Sequence, residues 1–410
     1  MERIPHATVK FAVTNLPGDV EAAADYDCDA IATPGRWLRR RLLIPRSIYQ
    51  LISRTTGKCS VIGARHSEFK QTCDIWQQSL TEADVVLNLS GIAFVGDGMR
   101  RPSIARDELY PFEQSRAAGK PYARFIQSFG PFGDRRVAKL ALRELPHLHR
   151  IYARGAGTAI ACSTLIPTAD VRTYPDCAIG LTASGEEWRK RFFSDQRVPL
   201  HDAYTVVSPS AVVAGKHTAG NIAVGANYTR AIGQVVERLV AGKRRVLLMP
   251  HARYPHHPTA CDLEVCRQIF HGLQSDTRAD VHLIDAPLTA PMAKQIISSS
   301  ELAIVSRYHA AIAALSSATP LITIGWNQKY EDIVTMYGLS YVAIDVRDHT
   351  MESLVEATFN RIDWWRQDRE ARVAALAAAH RKNAIELSEA FAYLCSWLES
   401  VCGCAVLRAA

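Results

Sequence analysis

The sequence predicts an α/β protein of two doubly wound domains with a C-terminal amphipathic helix, and three observations carry that expectation. Short apolar runs alternate with helical stretches along most of the chain. A charged stretch without strand pattern, Leu181 to Ala203, divides the alternation into two series. At 410 residues the chain exceeds what one hydrophobic core usually serves, and its 48% hydrophobic residues can fill two. The expected boundaries are an N-terminal α/β domain over 1–200, a second over 201–365, and a helix and tail over 366–410.

In the first series the strand-like runs are Val9 to Val13, Cys59 to Ile62, Val85 to Leu89, Pro121 to Ile126 and Leu148 to Tyr152. Each is nearly continuous in apolar character and bounded by Gly, Pro or Ser, the pattern of parallel strands covered on both faces. The alternation restarts with a strand at Thr205 to Pro209, a helix at Asn227 to Ala241 and a strand at Arg245 to Met249. A helix at Cys261 to Gln274, a strand at Val281 to Ile284 and a helix at Met292 to Ser298 follow. Strands Leu302 to Ser306 and Leu321 to Ile324 then flank the small-residue helix Ala310 to Leu315, a β-α-β unit. From Trp364 to Trp397, apolar residues at Val373, Leu376, Ala377, Ala384, Leu387, Phe391, Leu394 and Leu398 mark one face of an amphipathic helix.

Composition narrows the function classes. The formal charge of +7 suits an anionic substrate or membrane headgroups, yet the basic residues are scattered. Arg36, Arg39, Arg40 and Arg41 form the one tight cluster, read as a solvated helix face, with a lipid- or nucleic-acid-binding patch the alternative and peripheral membrane contact its consequence. Aromatic and basic residues are not interleaved as single-strand binding needs, so nucleic acid is not expected. Ten cysteines without a C-x-x-C pair or an apolar leader indicate reduced thiols and a cytoplasmic protein with no transmembrane segment. Asp25, Asp27 and Asp29 have the D-x-D spacing of metal-dependent glycosyl transfer but read as a polar loop, and His256 with His257 and Cys402 with Cys404 lack metal-site spacing; no metal and no cofactor are expected.

Ser306-Arg307-Tyr308-His309 stands where a buried strand gives way to a helix. Unpaired N–H groups and the positive end of the helix dipole converge there, so Arg307, His309 and the backbone can hold a phosphate or carboxylate together. Arg307 offers a bidentate fork, and His309 an imidazole whose pKa, near working pH, an anion would raise. His251 ends the strand Val246 to Pro250 and faces the same expected cleft. Asp97 sits between Gly96 and Gly98, where the backbone can approach a ligand. Lys329 and Glu331, after the strand ending at Ile324, read equally as substrate contacts or a surface ion pair. Arg154-Gly155-Ala156-Gly157 lacks the third glycine of a dinucleotide loop.

The segment from Ser306 through Lys329 and Glu331 to Leu339 resembles the polysaccharide pyruvyl transferase family, in which a strand ending in S-x-R-x-H precedes an Ala/Leu-rich helix, a strand, and a loop with a Lys and an acid. Further likenesses follow in order: Asp84 to Gly91 through Asp97, Gln127-Ser128-Phe129-Gly130-Pro131, Tyr152-Ala153-Arg154, Pro175-Asp176, and Val246 to His251. The chain departs from the pattern at Ser90 to Ala93, where a run of Gly is usual, and at Gly155, where an acid is usual. The resemblance implies two Rossmann-like domains in a GT-B-like arrangement, and transfer of the enolpyruvyl group of phosphoenolpyruvate to a sugar or glycan acceptor, lipid-linked acceptors included, in bacterial exopolysaccharide and cell-envelope biosynthesis. It implies His309, Asp97 and His251 as catalytic residues, and Arg307, Arg154, Gln127, Ser128, Lys329 and Glu331 as substrate contacts. A GT-B glycosyltransferase using a nucleotide-sugar and a non-catalytic sugar- or phosphate-binding protein are the alternative readings.

Overall fold

The computed structural model describes residues 10–13, 29–32, 63–96, 102–198, 203–216, 222–254, 261–326 and 329–403. The chain divides into two compact units, one of Met1–Ala153, Ile160–Arg172 and Ala390–Ala410, the other of Arg154–Ala159 and Thr173–Glu389.

In the first unit β1 (Lys10–Val13) pairs in parallel with β2 (Asp29–Ala32). The strand expected at Cys59 to Ile62 lies outside the described residues. Next come α1 (Gly63–Glu82), β3 (Val86–Asn88), β4 (Ile92–Ala93), α2 (Pro102–Ala117), β5 (Tyr122–Arg124), β6 (Ser128–Phe129) and α3 (Arg135–Ala141). β3 pairs with β5 and β4 with β6, both in parallel. The single strand expected over Pro121 to Ile126 therefore stops early, and the backbone gives the reason. Ile126 has φ 44°, a left-handed conformation that β-branched residues rarely enter. That turn aims the Gln127 N–H at the Tyr152 carbonyl, 3.1 Å away. Leu109, Phe112, Tyr122, Phe129, Val137, Leu145 and Ile151 build the core of this unit. Asp134 starts α3 by accepting the Arg136 and Val137 N–H groups on its carboxylate, which settles two of the orphan donors of the first turn.

Three consecutive elements of the chain's middle run across the division, β7 (Ile151–Arg154), α4 (Ala156–Leu165) and β8 (Val171–Tyr174), as does the last helix, Arg369–Cys402. The stretch expected as a linker instead forms α5 (Glu186–Asp195) within the second unit. Glu186 and Glu187 complement the dipole in its first turn, and buried Phe193 lies edge-on to Tyr204 at 5.5 Å.

The second unit continues with β9 (Tyr204–Ser208), α6 (Ala211–Lys216), α7 (Ile222–Ala241), β10 (Arg245–Leu248), α8 (Asp262–Gly272), α9 (Ser275–Arg278), β11 (Val281–Leu283) and α10 (Ala290–Ser298). After these come β12 (Leu302–Val305), α11 (Tyr308–Leu315), β13 (Leu321–Gly325), α12 (Lys329–Thr335) and β14 (Ala343–Asp345). The six strands form one parallel sheet in the order β11-β10-β9-β12-β13-β14. Every residue of β9, β12 and β13 is buried, as their uninterrupted apolar runs predict, while β11 and β14 at the edges are partly exposed. In α11 all residues but His309 are buried, and four alanines let the helix lie close on the sheet. Ile312 and Leu315 each contribute about 1.5–3 kcal/mol by burial, and an added side chain such as Ala311→Leu would cost about 1–3 kcal/mol in overpacking.

The tail is two helices rather than one. α13 (Met351–Gln367) opens on a Thr350 cap, and α14 (Arg369–Cys402) restarts after Asp368, whose φ −151° and ψ 52° leave the helical region. Leu376, Leu387, Leu394 and Leu398 are buried as expected, but Ala384 is exposed and Asn383 takes the inward place. Its amide donates to the carbonyls of Ala379 at 3.0 Å and Met336 at 3.3 Å, which makes the polar residue tolerable there.

Candidate active site

Counted in chain order within the second unit, the sheet reads 3-2-1-4-5-6, so the order reverses between β9 and β12. Connections leave those two strands in opposite directions and open a crevice beyond their C-terminal ends, where ligands of open α/β sheets bind. Ser306-Arg307 leaves β12 at this point, and Ser208-Pro209-Ser210 leaves β9. A tyrosine ties the two exits together: the Tyr228 hydroxyl donates to Ser306 Oγ at 2.8 Å and accepts the Ser210 N–H at 3.1 Å. Tyr330 of α12 also holds the β12 exit, donating to the Ser306 carbonyl at 2.9 Å.

Arg307 is the N-cap of α11, in extended conformation with φ −112° and ψ 138°. Its guanidinium grips Asp262, with Nε 2.9 Å from Oδ2 and Nη2 2.5 Å from Oδ1. Asp262, the first residue of α8, is fully buried, and its oxygens also accept the N–H groups of Ala211 and Ala252, both at 2.8 Å. Burial opposes the charge on Arg307, but the hydrogen bonds and charge of Asp262 outweigh it and hold the side chain firmly cationic.

The adjacent Tyr308 gathers two more cations. Arg154, buried at the end of β7, places its guanidinium 4.6 Å from the Tyr308 ring centre and donates to Asp176 at 2.5 Å. Lys329 lies 5.4 Å from the same ring and 5.3 Å from that of Tyr330. His309 is the exposed residue of α11. Its pKa is lowered, first by desolvation and then by the positive charges of Arg154 and Lys329, with Asp176 opposing. His251 falls further, to about 4, through burial first and the charges of His309 and Arg307 after it, and its Nδ1 is buried without a hydrogen-bond partner among the described residues. Both imidazoles are therefore neutral near pH 7 when no anion is bound, below the value expected for His309 from the sequence. An arriving anion adds the opposing charge that raises them.

Six of the sequence-predicted residues belong to the second unit, and five of them, Arg307, His309, His251, Arg154 and Lys329, lie near one another. The sixth, Glu331, is exposed in the first turn of α12. Gln127 and Ser128 belong to the first unit, and Gln127 is fully buried with its polar atoms turned inward. Its amide donates to the Asn88 carbonyl at 2.5 Å, and its oxygen accepts from Arg124 at 3.1 Å and Ser90 at 3.3 Å. That geometry makes Gln127 a strut of the β3–β5 junction. Asp97 lies outside the described residues, as do His256, His257 and the arginines from Arg36 to Arg41. Among the described residues no three His, Cys, Asp or Glu side chains are grouped to hold a metal ion, and no helix is long and apolar enough to cross a membrane.

Sequence reasoning missed Asp262, Tyr308 and Asp332. Asp332 explains the glycines after Arg154: a Cβ on Gly157 would sit 2.7 Å from its Oδ2, and Gly155 adopts φ 89°. Its carboxylate fills the first turn of α4, where a dinucleotide phosphate would otherwise be sought. The acids at 262 and 332 looked like ordinary helix-start residues, and only the fold reveals what they face.

The family model described as polysaccharide pyruvyl transferase matches residues 19–328. This chain belongs to the polysaccharide pyruvyl transferase family. No curated protein matches it. Among solved structures, this pyruvyl transferase family member is similar to the E. coli trehalose-6-phosphate structure bound with UDP-2-fluoro glucose, at 11% identity over 90% of this chain and 86% of that one, TM-score 0.50. The α,α-trehalose 6-phosphate synthase of Burkholderia multivorans is similar at 13% identity, over 83% and 76%, also with TM-score 0.50. At such identities the likeness shows the fold alone, the GT-B fold expected for the family.

Proposed function

We propose that this transferase moves the enolpyruvyl group of phosphoenolpyruvate onto two hydroxyls of one sugar unit, leaving a cyclic pyruvate ketal and inorganic phosphate. The observation that carries this reading is the convergence of Arg307, His309 and His251 at the strand-order switch point, in a chain of this family. Protonation of the donor's methylene carbon develops cationic character on the neighbouring carbon. One sugar hydroxyl attacks there, the C–O bond to phosphate breaks, and a second hydroxyl closes the ring as its proton is removed. Arg307 and the α11 N-terminus hold the donor anion, whose charge lifts the pKa of His309 so that it can carry the proton to be delivered. His251, or Asp97 by its place in the family pattern, accepts the hydroxyl protons. The acceptor is a cell-surface glycan or its precursor, lipid-linked or free, and the reaction belongs to the bacterial cytoplasm.

The test is donor choice. Phosphoenolpyruvate should raise the melting temperature and release phosphate when an acceptor is present, because a ligand that binds only the folded state stabilises it by mass action. A nucleotide-sugar that raises the melting temperature, with no response to phosphoenolpyruvate, would replace this reading with glycosyl transfer.

A further inference from the structure

We propose that Asp262 is the positioning residue of the donor site: its carboxylate fixes the Arg307 fork and locks the exits of β9 and β10 to it. This rests on the reading of Arg307 as a donor ligand. Three strand exits meet at this one side chain. Ala211 follows β9, Ala252 follows β10 directly after His251, and Arg307 follows β12; all three donate to Asp262. An Arg side chain carries considerable rotamer freedom, which a ligand would have to remove on binding. Asp262 removes it beforehand by engaging the Nε–Nη2 edge, so the guanidinium plane is set before any anion arrives.

The site needs a carboxylate rather than any polar group. Oδ1 receives Ala211 N–H and Arg307, and Oδ2 receives Ala252 N–H and Arg307. A carboxylate accepts on both oxygens, whereas an amide must present NH2 on one side. Either flip of an asparagine here would face a donor with a donor. Asp262→Asn is therefore isosteric yet incompatible, and the damage falls on the orientation of Arg307 and on the loop that carries His251.

Asp262→Asn in the full-length protein, assayed with phosphoenolpyruvate, should raise KM and the dissociation constant about tenfold or more, with a smaller fall in kcat through the loop that carries His251. Because Asp262 acts through Arg307, the double variant Asp262→Asn/Arg307→Gln should bind the donor no more weakly than Arg307→Gln alone. Donor binding by Asp262→Asn equal to wild type, or additive losses in the double variant, would overturn the proposal and leave the donor reading standing. Wild-type protein that phosphoenolpyruvate fails to protect would overturn the donor reading itself, and this proposal with it. Should Asp262→Asn not fold, Arg307→Lys reads the same contact from the other side. Donor affinity should fall and amide exchange at Ala211 and Ala252 should quicken; unchanged exchange would overturn the locking of the loops.

Discussion

Two arginine–carboxylate pairs, one in each unit, show how the same chemistry serves opposite ends. Arg124 and Glu144 in the first unit are both wholly buried, with Nε and Nη2 of the arginine on the carboxylate. Its other donors go to the Glu108 carbonyl at 2.6 Å and Gln127 Oε1 at 3.1 Å, and Phe94 lies 5.1 Å from its guanidinium carbon. Arg307 and Asp262 repeat the pairing, but the arginine side chain keeps 18% of its surface exposed, beside a crevice. Closed on every side, a buried pair organises the fold. Anchored along one edge and partly exposed along its flank, the pair holds an arginine whose orientation is already set, as the proposed donor ligand requires.

The largest expected effect breaks the closed pair. Glu144→Gln leaves Arg124 buried beside a neutral group and should cost about 3–5 kcal/mol of unfolding free energy, measured by denaturant titration. A loss under about 1 kcal/mol would mean that water reaches this network and that the contrast between the pairs is false. A pH titration follows in size. His251 titrates at about 4 in the folded chain against an ordinary 6.5, so the neutral ring is favoured by folding. Its stabilisation is complete above pH 6.5 and is lost as pH falls toward 4, amounting to about 3 kcal/mol. In the first unit His149, stacked 4.2 Å from Trp397, is also depressed to about 4, by burial first and the charge of Arg150 next. His251→Asn and His149→Gln should each flatten part of the acid limb of a melting-temperature profile.

Within the open site, His309→Gln should lower turnover by on the order of 100-fold with donor affinity nearly unchanged, since the amide can donate a hydrogen bond but cannot deliver a proton. Steady-state rates combined with calorimetric titration separate the two quantities. Arg307→Lys keeps the charge and loses the fork, so donor binding should weaken by about 1–3 kcal/mol. An equal loss of unfolding stability would make the open pair structural, like the closed one.

Much of this arrangement was legible from sequence where local rules act. The strand ends at Val305 and Leu248, the helix opening at Tyr308, and the placement of Arg307 and His309 all follow from apolar runs meeting turn and cap positions. What escaped depends on partners distant along the chain. Gln127 sits in a motif that suggested ligand contact, yet Asn88, Ser90 and Arg124 take up its polar atoms, and nothing local announces that. Asp262 lies 45 residues before Arg307, and its acceptor role depends on three loops that meet only in the folded sheet. The helix break at Asp368 and the inward turn of Asn383 likewise follow from docking, where a periodic pattern alone predicted one continuous helix with Ala384 inside.

The fit of Asp332 against Gly157 also has a bearing on how the gene can drift. With 2.7 Å between the hypothetical Cβ and a carboxylate oxygen, no side chain can be acquired at position 157 while Asp332 keeps its place. A change at 332 to a smaller residue opens room for alanine at 157, whereas the reverse order requires the Asp332 carboxylate to swing away first. The two positions are therefore coupled, and the cost of a side chain at 157 depends on which residue stands at 332.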